Sequence, residues 1–226
     1  MFVAGRRIHV QELLDAGAGR DAEVAASLAD LRRINRFLGG QRVLRQLLRE
    51  QVRRTGLQTF SLLDVATGSA DLPAAVLRWY PQARAVGLDF HLRHLRLARA
   101  PGVRLVCGDA FRAPFAPRSF DFVAASLFLH HFTDAEAPPL LSELATLARR
   151  ALFINDLDRH WVPFYFIRWT APVFARSSIT RFDGPASVQR AFGPGELERM
   201  AEEAGFRRFR ARWHMPFRRS LVVELD

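Results

Sequence analysis

The 226-residue chain has no lysine: all 33 of its basic residues are arginine. Together with heavy use of Ala, Leu, Gly and Pro, that reads as GC-rich codon bias and not as selection for guanidinium chemistry. A single cysteine, Cys107, excludes an internal disulfide framework and any cysteine-based zinc cluster, and it fits a reducing cytoplasm. No apolar run approaches the roughly 20 residues of a membrane span. The first residues, Met1 to Arg7, lack the apolar core of a secretory signal. Internal repeats and low-complexity segments are absent. So is any aromatic-interleaved RNA-binding motif, which argues against nucleic acid as a partner despite the net charge of +10. The arginines are instead dispersed along the chain.

What is present is an ordinary globular composition, 49% hydrophobic and 25% charged. It suits one full-sized domain or a domain with an appendage. Residues 10–56 read as helical. Leu28, Leu31, Ile34, Phe37 and Leu38, then Val43, Leu44, Leu47, Leu48 and Val52, recur at helical spacing around a Gly39-Gly40 break. Their opposite face carries arginines from Arg32 to Arg54, a solvated face or a lid touching a membrane surface or an acidic substrate. From Phe60 onward, short apolar strands near 60–65, 84–89, 103–107, 120–126 and 150–154 alternate with helices near 71–79, 91–99 and 134–149. An aromatic insert, Trp161 to Phe174, interrupts the alternation. A helix from Gly195 to Ala204 and two closely connected strands near 206–213 and 217–225 complete the chain. This pattern predicts an α/β fold: a Rossmann-like, mostly parallel seven-stranded sheet with an antiparallel final strand, plus N-terminal helices and a cap insert. The corresponding division is a helical cap over 1–56 and a catalytic domain over 57–226, with the insert at 157–180.

The most informative stretch is Ser61-Leu-Leu-Asp-Val-Ala-Thr-Gly-Ser-Ala-Asp-Leu-Pro73. An apolar strand ends in Asp64, turns through tiny residues and opens into a helix at Asp71. Gly and Ala let the backbone approach a ligand closely at the carboxyl end of a strand. The two acids bracketing the turn, with no Lys, argue against a phosphate and for a ligand carrying cationic groups. Asp89 ends the second strand, where an acid can accept hydrogen bonds from both ribose hydroxyls. Asp109 ends the third, where an acid followed by a backbone N–H can read adenine, and Phe90 can stack on the base. Each acid alone could be a cap or turn residue. Three at successive strand ends converge on one crevice.

The set LLDVATGSADLP, VGLDF, CGDAF and FDFVAASLFLHHF resembles the ordered motifs of class I S-adenosylmethionine-dependent methyltransferases. In flavour it is similar to bacterial enzymes of ubiquinone and menaquinone biosynthesis and of polyketide tailoring. The resemblance implies S-adenosylmethionine as cofactor, with S-adenosylhomocysteine as product. Asp64 and the Ala66-Thr67-Gly68 turn would cradle its methionine part, Asp89 would hold the ribose, Phe90 would stack, and Asp109 with Ala110 would read the adenine. Ser126 would lie beside the reacting sulfonium. Alanine at 66 and 70 departs from the usual glycine pattern.

The fourth strand ends in Ser126-Leu-Phe-Leu-His-His-Phe132, not in the Asn/Asp-Pro-Pro-Tyr/Phe of enzymes that methylate exocyclic amines. That points to a small molecule: an oxygen or carbon of an aromatic or hydrophobic acceptor such as a phenol, quinone or polyketide ring. His130 and His131 are candidate general bases, because imidazole titrates near pH 6.5; Asp156 and His160 are the alternative pair. No helical His-x-x-x-His spacing supports a metal, and none is expected. Trp161, Tyr165, Trp169 and Arg181 are expected to line the acceptor site. The rival readings are an arginine-rich module binding nucleic acid or a membrane surface, and a methyltransferase fold kept as a non-catalytic partner. Monomer and homodimer both remain open.

Overall fold

The runs at 61–65 and 120–126 carry apolar residues on both faces, a pattern that only a sheet covered on both sides satisfies. The computed structural model describes residues 6–8 and 10–225; Met1 to Gly5, His9 and Asp226 lie outside the described residues, and with them the start of the expected cap. Seven strands form one sheet: β1 (Ser61–Val65), β2 (Arg84–Asp89), β3 (Arg104–Cys107), β4 (Phe120–Ser126), β5 (Ala148–Leu157), β6 (Phe209–His214) and β7 (Arg218–Glu224). Their order is β3-β2-β1-β4-β5-β7-β6. Strands β1 to β5 run parallel, and β7 is antiparallel to both β5 and β6. The expected Rossmann-like topology is therefore observed. Its strand order reverses between β1 and β4, where open α/β sheets bind ligands.

Among the described residues, eight α-helices surround the sheet: α1 (Asp21–Phe37), α2 (Gly40–Thr55), α3 (Asp71–Trp79), α4 (Leu92–Leu97), α5 (Ala137–Leu147), α6 (Trp161–Phe174), α7 (Ser178–Arg190) and α8 (Glu196–Glu203). On one face Leu63, Val65, Val123 and Ile154 pack against Leu140, Leu144 and Met200 of α5 and α8. On the other, Leu62, Phe122 and Phe153 pack against Val43, Leu44, Leu47 and Leu48 of α2 and Val76 of α3. Helix α2 is thus part of the main core, while Arg42, Arg45, Arg49 and Arg53 take its exposed side. A third cluster, Val24, Leu28 and Ile179, joins α1 to α7 above the sheet.

Two segments differ from the sequence reading. Residues 10–20, expected to be helical, form an irregular strap with a few turns. Helix α7 lies where the sequence reading places no element. The helix tolerates Pro185 within it, and Gly184 is there because Ile167 of α6 comes within 2.8 Å of where a Cβ would sit.

Gly87 links the sheet to the ligand turn. It lies opposite Asp64 in the β1–β2 register, and a Cβ there would meet Thr67 Cγ2 at 2.7 Å. The missing side chain makes room for Thr67, whose hydroxyl donates to Asp64 at 2.6 Å. Gly87→Ala should therefore cost about 1–3 kcal/mol through overpacking, read as a lower urea midpoint with an unchanged slope.

Candidate active site

The carboxyl ends of β1, β2 and β4 open into a cavity of about 510 Å³. Its floor is the β1–α3 turn, where Ala66 (φ 54°), Gly68 (φ 54°) and Ala70 (φ 55°) all adopt left-handed backbone. Only glycine does so freely; each alanine costs on the order of 1–2 kcal/mol, a strain typical of sites held for function. Leu127, just past β4, shares the conformation at φ 53° and also lines the cavity.

Of the three strand-end acids, Asp64 and Asp89 meet at this turn while Asp109 stands apart at the rim, and each sits in a different environment. Asp64 is fully buried beneath the cavity wall, and one of its carboxylate oxygens, Oδ1, has no hydrogen-bond partner. Burial pushes its carboxyl up to about 8 against the pull of the Thr67 hydroxyl, with Asp71 and Asp89 adding like charge. Asp89 is buried and lines the cavity, accepting from the backbone N–H of Gly68 at 2.7 Å and of His91 at 2.9 Å. His94 Nδ1 lies 3.2 Å away on the same carboxylate. Asp109 is exposed at the rim, accepting from the Phe111 N–H at 2.9 Å. Phe90 and Ala110 line the cavity beside it, whereas Thr67 and Ser126 are buried behind the wall.

The opposite wall carries a cluster of charges. The buried His130 Nδ1 sits 2.7 Å from Asp156 of β5, and its Nε2 sits 3.3 Å from Glu12 of the strap. Beside it, His131 Nδ1 is 2.5 Å from Asp15 and its Nε2 is 3.6 Å from Glu12. Burial alone would lower His130, but Asp156 and Glu12 outweigh it and push the imidazole up to about 9. By the same pairing, Glu12 and Asp156 are held below the ordinary carboxylate range although burial works to raise them. Arg190 of α7 donates to the carbonyls of His130, His131 and Val10, fastening the strap to the turn after β4. Glu12, His130 and His131 bring three ligand-type atoms within 4.8 Å of one another.

Of the expected catalytic residues, the fold brings together His130, His131 and Asp156, but not His160. His160 Nδ1 accepts from the Val162 N–H as the cap of α6, and its ring stacks on Phe217. Trp161, Tyr165, Trp169 and Arg181 do not line the cavity. Trp161 and Trp169 face outward, and the Arg181 guanidinium donates to the Ala175 carbonyl. From α6 only Ile167 reaches the cavity, because the helix turns its other apolar side away from the core. Glu12, Asp15, Asp183 and Ser187 line the cavity without having been expected to. Nothing in their local sequence marks them, since the site is assembled across more than a hundred residues of chain.

Two raised groups contribute to the pH dependence of stability with a definite sign. Between about pH 4 and 8 the folded protein holds a proton on Asp64 that the unfolded chain has released, so stability falls as pH rises. His130 contributes stability that is complete below about 6.5 and is lost as pH rises through about 9. Asp64→Asn should therefore be more stable than wild type at pH 8 and lose that advantage at pH 4, measured by urea unfolding at both values.

Residues 62–151 match the family described as Methyltransferase domain. The chain is 33% identical over 164 residues to a demethylmenaquinone methyltransferase of Roseiflexus sp. (strain RS-1), covering 64% of this chain and 66% of that protein, just under two thirds of its length. It is 33% identical over 163 residues to the demethylmenaquinone methyltransferase of Thermotoga maritima, covering 64% of this chain and 69% of that protein. The crystal structure of human N-acetylserotonin methyltransferase shares the fold, with a TM-score of 0.63 at 14% identity over 95% of this chain and 62% of that one. With strand-end carboxylates around a small-residue turn and relatives of this kind, the chain belongs to the S-adenosylmethionine-dependent methyltransferases.

Proposed function

We propose that this chain transfers the methyl group of S-adenosylmethionine to an oxygen or carbon of a small aromatic or hydrophobic acceptor, of the phenol, quinol or polyketide-like class. The observation that carries the reading is the two-sided cavity. Strand-end carboxylates form one wall, an imidazole–carboxylate cluster forms the other, and Leu31, Ile34, Phe128 and Ile167 lie between them. The names of the quinone-methylating relatives favour a quinol-like acceptor.

The residues present fit the cofactor. The unpartnered, buried Oδ1 of Asp64 suits an ammonium group reaching the β1–α3 turn. Asp89 keeps acceptor capacity for two ribose hydroxyls beyond its backbone donors. Phe90, Asp109 and Ala110 offer a ring and polar edge for adenine. When bound, the cofactor supplies an electrophilic methyl group on a positively charged sulfur. The chain's part is to orient the acceptor, exclude water and take up a hydroxyl proton. His131, on the cavity wall, is placed for that proton uptake at Nε2, since Asp15 holds its Nδ1 and Glu12, 3.6 Å from Nε2, favours the imidazolium that forms. His130, gripped between Asp156 and Glu12, positions its neighbour and is not the base.

Calorimetric titration with S-adenosylhomocysteine should give saturable one-to-one binding, weakened about 10-fold or more by Asp89→Asn through loss of charge-assisted hydrogen bonds. An ammonium arriving beside Asp64 lowers that carboxyl, so binding at pH 7 should release a proton. The heat would then depend on the buffer's ionisation enthalpy in wild type but not in Asp64→Asn. With labelled S-adenosylmethionine and a panel of phenols and hydroquinones, His131→Gln should lower turnover by about 10²–10⁴-fold. Absence of binding would overturn the cofactor assignment, and binding without turnover on any acceptor would favour the non-catalytic partner.

A further inference from the structure

Helix α6 leaves a broad apolar face without cover. Val173 is 79% exposed and Trp169 and Phe174 are each 71% exposed, with Trp161 and Phe166 also more than half exposed. These side chains fall on adjoining rows of one helix, so they form a contiguous stripe and not scattered single residues. Phe37, Trp213 and Met215 extend it, because both ends of α6 are tied to their neighbourhoods. His160, capping α6, stacks on Phe217 of the β6–β7 turn, while Arg33 of α1 donates to the Phe174 carbonyl at 3.3 Å. Gly39, after α1, lies 3.5 Å (measured from an ideal Cβ) from the Met215 carbonyl, which closes the circuit.

The charge around this face has one sign. Residues 31–42, 159–182 and 212–219, which build it, contain no Asp or Glu and eleven of the 33 arginines. Carboxylates from elsewhere reach its edges only as partners already engaged. Glu50 pairs with Arg210 and Arg212, Asp30 with Arg33, and the buried Asp158 with Arg219 and the Trp213 indole N–H. Arg36, which lies over the Phe37 ring, and Arg42, Arg168 and Arg176 make no ion pair among the described residues. Tryptophan and phenylalanine flanked by unpaired arginine fit the boundary between acyl chains and anionic headgroups. At 14 residues α6 is about 21 Å long, too short to span a bilayer and suited to lying along its surface.

We propose that the face formed by α6, the C-terminal end of α1 and the β6–β7 turn docks on an anionic lipid bilayer, with α6 in the interfacial plane. The arginine-lined helix face considered from sequence contributes only at its start, near Phe37 and Arg42. The main determinant is the aromatic side of α6. Because Ile167 on the inner side of α6 lines the cavity, docking brings a lipophilic acceptor's path into the cavity close to the membrane. The surface assignment itself does not depend on methyl transfer.

Flotation of the full chain with phosphatidylcholine vesicles, with and without about 30% phosphatidylglycerol, tests it. Wild type should float with the anionic vesicles at low salt, with a blue shift of tryptophan emission, and should be released as salt rises. The double variant Val173→Glu/Phe174→Glu should partition about 10-fold or more weakly, while its melting temperature and S-adenosylhomocysteine binding stay those of wild type. The milder Phe174→Ser should fall between. Failure of wild type to float with anionic vesicles at low salt would overturn the proposal, as would flotation unchanged in both variants. A dimer in light scattering that shields these tryptophans from quenching and is lost in the double variant would assign the face to a second copy of the chain, and would equally overturn it.

Discussion

A buried imidazole held between carboxylates far apart in the sequence is the interaction on which the cavity's wall depends. His130 sits in the turn after β4, Asp156 holds it from β5 and Glu12 meets it from the strap. Removing one member of such a buried set strands a charge, at a cost of about 3–5 kcal/mol. The strap is irregular and has further anchors: Leu13 and Leu14 pack against Val24, Leu28 and Ile179 while their N–H groups donate to Asp183, and Arg190 donates to the Val10 carbonyl. Burial pushes Asp183 up to about 6 even so, with Glu12 and Asp15 adding to the effect. Charge pairing thus works beside apolar packing to dock this segment. The site is complete only when residues 12–15 are docked.

The ligand turn is governed by a different constraint, the room available to backbone. Gly87 yields its side-chain space to Thr67, Thr67 bonds Asp64, and Gly68 offers its N–H to Asp89. Asp64 and Asp89 are therefore coupled through the turn and not merely neighbours in a crevice. Strain at Ala66 and Ala70 is carried by the packed β1–α3 junction around them.

Helix α6 separates two environments. Phe164 and Ala171 face the core and Ile167 the cavity, while Trp169, Val173 and Phe174 face outward. An apolar helix inserted after β5 could have roofed the acceptor with aromatic rings, as its composition suggests. It instead offers one aliphatic side chain inward and most of its rings outward. Leu28, Leu31 and Ile34 of α1 add to the apolar wall of the cavity.

The sequence by itself determined the sheet and its ligand edge. Strand periodicity, the LLDVATGSAD turn and the acids at 64, 89 and 109 are local patterns, because a strand, a tight turn and the residue that ends a strand are each set by a few neighbours in the chain. Tertiary structure alone decided the other half of the site. Glu12 and Asp15 meet His130 and His131 only because the strap crosses the sheet, position 184 of α7 has room for no side chain because Ile167 of α6 lies against it, and His160 became a helix cap through the course of the chain after β5. The direction of a helix's apolar face was equally hidden, since α6 is hydrophobic on nearly every side. Periodicity can say which residues share a face, but what that face meets is settled by contacts far apart in sequence.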